Sequence, residues 1–131
     1  DEELTVISGE MTYQVLGEEP KIARAGDTAM FKRGVAHKFV NSGSTELHCI
    51  GYIKPANTII FYLSGIFAAQ KKSGKPQPAL FDAAYLIHRY KAEYDLPEMP
   101  FFVKRIMIPV VYFLGKLFGR YPHFKDAPEP L

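Results

Sequence analysis

Cysteine occurs once in this chain, at Cys49, so no disulfide framework can form. A lone thiol fits a reducing compartment, and the sequence points to a cytoplasmic setting. Neither a G-x-S-x-G elbow, a P-loop nor a dinucleotide fingerprint is present, which leaves serine and phosphate chemistry without support. The formal charge of +2 is too small to argue for a nucleic-acid partner. Asp1-Glu2-Glu3 reads as the lip of a strand rather than as a signal peptide, and a further segment upstream is expected. What is present is ordinary for a folded protein: 131 residues, 47% apolar and 23% charged, enough for a real core. Charge is unevenly placed. Residues 1–54 hold six Lys/Arg against eight Asp/Glu, and residues 55–131 hold ten against six.

The most structured stretch is Gly26 to Asn41, GDTAMFKRGVAHKFVN. Gly26-Asp27 is a turn dipeptide, Thr28 to Phe31 a short strand, and Lys32-Arg33-Gly34 a second turn. Ala36 to Asn41 then runs extended, placing His37, Phe39 and Asn41 on one face. Around it lie further short alternating runs: Leu4 to Ser8, Met11 to Leu16, Lys21 to Arg24 and Glu46 to Lys54. Their spacing of roughly eight to twelve residues, with glycine-rich turns between, predicts a small all-β barrel or sandwich. Its expected core is Leu4, Val6, Met11, Val15 and Phe39. A histidine just past a glycine turn, beside aromatic rings, suits a metal ligand or a hydrogen-bonded core residue; both readings stay open on these residues.

Gly26, Gly34, His37 and Asn41 together resemble the second cupin motif, G-x5-P-x-G-x2-H-x3-N, with Lys32 standing where the family has proline. Glu2 and Gly9 match the end of the first motif, E-x6-G, and sixteen residues separate the two motifs. The resemblance covers roughly residues 1–54 and implies a mainly β, double-stranded β-helix (jelly-roll) barrel. It also implies a metal site of three histidines and a glutamate. Residue by residue this gives Glu2 and His37; the first motif's two histidines would lie before Asp1. Such a set suits iron, manganese, nickel or zinc, and the ion is weakly held unless other donors complete the site. Tyr13 and Phe39 are candidate cavity-lining residues for a small organic molecule.

At Pro55 the period changes. Asn57 or Thr58 can cap a helix to about Lys71 with Ile59, Leu63, Ile66 and Phe67 as its stripe. Pro78 opens a second, to about Tyr94, burying Leu80, Ala83, Ala84 and Ile87. A third is predicted from Phe101 to Phe118, kinked at Pro109. Residues 1–54 are thus the barrel and 55–131 a helical extension packed on it or on a partner subunit, with the last ten or so residues a loose tail. The third helix's uncharged run, Ile106 to Gly115, is ten residues, short of the ~18–20 that span a bilayer. Flanked by Lys104, Arg105, Lys116 and Arg120, it fits an interfacial helix or one covering the barrel or a partner.

His48 is expected to point outward, His88 and His123 to be structural or solvated, and Cys49 to be a small core residue. Two function classes follow: a metal-dependent cupin enzyme of dioxygenase or isomerase type acting on a small organic molecule, or a non-catalytic ligand-binding or dimerisation module. A homodimer is expected because so few strands leave open edges.

Overall fold

A computed structural model describes all of residues 1–131. The chain divides into two compact units, Asp1–Pro55 and Ala56–Leu131.

The first unit holds all six strands: β1 (Glu2–Ser8), β2 (Glu10–Val15), β3 (Lys21–Arg24), β4 (Thr28–Phe31), β5 (His37–Asn41) and β6 (His48–Ile53). They form two antiparallel three-stranded sheets, ordered β4-β1-β6 and β3-β2-β5. Counted over the whole chain with its three α-helices, the architecture is mixed α/β rather than mainly β.

Alternation decides the faces. Val6, Met11, Ala23, Ala29 and Phe31 form the buried core, with Leu4, Tyr13 and Val15 packed against it. Val6 and Met11 are wholly buried, and such side chains each contribute about 1.5–3 kcal/mol. Phe39 is not part of this core. It lies opposite Tyr13 on β5, an outer strand of its sheet, and is 44% exposed. Cys49 is likewise exposed, as is every other position of β6, an outer strand. Phe31 takes the core place expected of Phe39.

The second unit contains α1 (Ile59–Ser73), α2 (Leu80–Arg89) and α3 (Ile108–Leu117). Its core is aromatic: Tyr62, Tyr85, Tyr90, Tyr112 and Phe124, joined by Ala84, Leu86 and Ile108. On α1 the buried residues are Tyr62 and Ala69, whereas Leu63 and Phe67 of the expected stripe are exposed. On α2 they are Asp82 through Leu86, and Leu80 faces solvent. These helices follow the bulk of the tyrosines, which outweighs the aliphatic period.

Thr58 does not cap α1 with its own side chain. Its N–H and Oγ1–H both donate to Oε2 of Glu93, 3.0 and 2.8 Å away, and Glu93 Oε1 accepts the Leu131 N–H. Burial would raise the Glu93 pKa, but the bonds from Leu131 and Thr58 outweigh it and hold the carboxyl below its usual range.

Pro109 has no N–H to return to the preceding turn. The chain opens there into a π-helical turn, Val103–Met107, and the Ile108 N–H reaches back to the Val103 carbonyl. A Cβ at Gly115 would meet the Tyr121 ring, so α3 admits that ring only with glycine here. Burial pushes the Tyr121 phenol up to about 12. The final residues are not a loose tail. Phe124 stacks on Tyr85 at 4.2 Å, the Tyr90 hydroxyl donates to the Pro128 carbonyl, and Arg89 pairs with Glu129.

Candidate functional site

The turns of Gly26 to Asn41 steer one strand along each sheet. Gly26 N–H donates to the Val6 carbonyl, and Val6 N–H to that of Asp27, which stitches the first turn to β1. β4 is thereby laid beside β1 with Phe31 opposite Glu2. The chain then leaves that sheet through a turn closed by Val35 N–H on the Lys32 carbonyl. Gly34 sits in this turn at φ 78°, a conformation that glycine adopts without strain. Lys32, where the motif has proline, leaves the turn intact. β5 follows in the other sheet, with His37 opposite Val15 on β2.

Glu2 from one sheet and His37 from the other therefore meet. His37 Nε2 lies 3.1 Å from Glu2 Oε2, and Nδ1 lies 3.0 Å from the Val35 carbonyl oxygen. The imidazole is stacked on Phe31 with centroids 3.9 Å apart and planes within 4°. Tyr13 meets Phe31 edge-on at 5.7 Å. The pair is mostly enclosed: the side chains of His37 and Glu2 are 22% and 21% exposed.

Both neighbours of the imidazole are acceptors. A neutral ring carries one N–H, so whichever nitrogen is protonated, the other directs its lone pair at an oxygen. A second proton on the ring, or a cation between Nε2 and Glu2, satisfies both contacts. An N–H on Nδ1 held by a backbone carbonyl is also the usual support behind a metal-ligating Nε2. The separation suits an ion as well, since adjacent donors on an octahedral ion with ~2.1 Å bonds lie about 3 Å apart. His37 and Glu2 thus fit two neighbouring coordination positions. The chain brings no third histidine, cysteine or carboxylate to them, for no group of three or more such residues is arranged to hold a metal.

The other expected candidates fall elsewhere. Tyr13 flanks the core beside the pair, while Phe39, one register step further along β5, is half exposed. Asn41 organises the turn after β5, donating to the Thr45 carbonyl and accepting the Gly43 N–H. His48 is exposed, 3.5 Å from Glu46. His88 stacks on Tyr112, and burial, then Lys91 and Lys116, push its pKa down. His123 is tied to Asp82, a buried carboxylate that Lys72 also reaches. Sequence reasoning missed Phe31 and the Val35 carbonyl. The Ala29/Phe31 alternation within Thr28–Phe31 could have revealed the first; a backbone acceptor leaves no such trace.

The Cupin domain family model matches residues 1–51. No curated protein and no solved structure matches the chain. No helix is long and apolar enough to cross a membrane.

Proposed function

We infer that the first unit is a cupin-type site for one divalent transition ion, iron, manganese, nickel or zinc, of which His37 and Glu2 are two ligands. The observation that carries this reading is the pair of facing acceptors, Nε2 and Oε2 at 3.1 Å, with Nδ1 engaged by Val35. Water, a chelating small organic molecule or further protein donors fill the remaining positions. Such an ion supplies polarisation of an oxygen on the organic molecule, the entry to dioxygenase- or isomerase-type chemistry. The residues around it have simpler roles. Val35 fixes the tautomer, Phe31 fixes the ring plane and keeps water from one face, and Tyr13 borders the approach.

A second reading is favoured by the missing third donor: a non-catalytic cupin module in which a protonated His37 and Glu2 tie the two sheets together. Elemental analysis separates the two. Untagged wild type, incubated with manganese, nickel or zinc, retains metal and His37→Ala does not; equal content in both removes His37 from the site.

The double-stranded barrel closure and the homodimer belong to the same reading. β6 is an outer strand exposed throughout, with Ile50 and Tyr52 uncovered, and a second copy can cover it. Light scattering that finds only monomer at micromolar concentration would count against the dimer.

A further inference from the structure

The helical segment from Phe101 to Leu117 is apolar on opposite sides, and its own unit covers one of them, with only an edge-on contact of Phe113 on His88 at 6.0 Å reaching the other. Ile108, Tyr112 and Gly115 face inward. On the far side Phe102, Ile106, Val110, Phe113 and Leu117 follow one another at spacings of four, four, three and four, and their exposures run from 49% to 77%. The wide turn at Val103–Met107 keeps this stripe in line across Pro109. An apolar helix face left in water is unfavourable, so this one is built for a partner.

Charge identifies the partner's sign. Residues 101–120 carry Lys104, Arg105, Lys116 and Arg120 and no carboxylate. Lys116 Nζ lies over the Tyr112 ring at 5.3 Å and the Arg120 guanidinium over Phe81 at 5.2 Å, so each cationic head rests on an aromatic face of the same unit. A cavity of about 820 Å³ at the start of the segment adds Lys91 beside Lys104 and Arg105, against Asp95. A second copy on this stripe would bring two sets of the same cations together, which disfavours a self-complementary contact. We propose that this face seats the C-terminal unit on an anionic lipid surface, with the Phe102–Leu117 stripe at the acyl boundary and the four cations at headgroup level.

The test is flotation of the full chain with phosphatidylcholine vesicles, with and without phosphatidylserine. Binding is expected to the anionic vesicles, weakening as salt rises. Phe102→Gln with Leu117→Gln, two exposed positions, should lower partitioning at least about tenfold, since two large apolar side chains are removed from the interface. Lys116→Glu with Arg120→Glu should lower it on anionic vesicles by about fivefold or more per charge. Both variants should still unfold cooperatively, the charge variant somewhat earlier because it loses two cation–π contacts. Absence of flotation overturns the proposal, as does binding that neither variant alters. A wild-type dimer that the stripe variant dissociates, without vesicle binding by either, would assign the face to a second copy and also overturn it.

Discussion

Nε2 of His37 lies 3.1 Å from Oε2 of Glu2, with the two residues drawn from different sheets. Glu2 stands on β1 beside β4 and β6, His37 on β5 beside β2. No neutral form of the imidazole satisfies both of its oxygen neighbours, and several expectations rest on that conflict.

Glu2→Gln replaces one facing acceptor by an amide that can donate to Nε2 while Nδ1–H stays on Val35. In metal-free protein above the histidine range, this variant should match wild type within about 0.5 kcal/mol or exceed it. Glu2→Ala should lose about 1–3 kcal/mol, the usual cost of stranding an enclosed polar partner. Urea unfolding measures both. A loss above about 1 kcal/mol in Glu2→Gln would reveal a charge-assisted bond and favour the protonated, non-metal reading.

Glu93 joins the start of α1 to the chain's final residue. Its folded pKa lies below the ordinary value of 4.5. Its contribution is therefore present above that value and is lost as pH falls through the folded pKa. Glu93→Ala should destabilise the C-terminal unit by about 1–3 kcal/mol at neutral pH. It should also flatten the acid limb of the stability curve below the usual carboxylate range; an unchanged limb refutes the role.

His88 is held below its ordinary 6.5 by burial and then by Lys91 and Lys116. The unfolded chain therefore binds the proton more readily, and stability is complete above 6.5 and declines as pH falls toward the folded pKa. His88→Gln should remove that slope. Side-chain NMR checks the premise directly: the His88 ring should titrate below 6.5, and a higher midpoint contradicts it.

Cys49 is the only thiol and is exposed on β6. If a second copy covers β6 as proposed, a thiol reagent should label the native dimer more slowly than the unfolded chain, and equal rates would count against that contact. Protection in the native state would show that β6 is covered in solution, as by a second copy.

Much of the first unit was legible because its signals are local. Glycine turns and two-residue alternation place the six strands, and the spacing of Gly26, Gly34 and His37 marks the turn at which the chain changes sheets. Which outer strands are covered was not legible. Alternation puts Phe39 inward and pairs Cys49 with buried Val6, yet β5 and β6 leave these side chains exposed while the outer strands β3 and β4 bury Ala23, Ala29 and Phe31. In the second unit the missing information was aromatic and long-range. Tyr62 displaces Leu63 as the buried residue of α1, and Glu93, 35 residues away, caps Thr58. Neither follows from a helical period. Of the site, Glu2 and His37 were readable from the motifs, whereas the conflict between two acceptors appears only with Val35 and Glu2 in place.

The most direct test is a manganese(II) titration of untagged protein followed by NMR. The account predicts that the His37 ring and the Glu2 side chain broaden first and saturably. That response should vanish in His37→Ala and weaken at least about tenfold in Glu2→Gln. Broadening spread evenly over exposed carboxylates, or unchanged in His37→Ala, would contradict it.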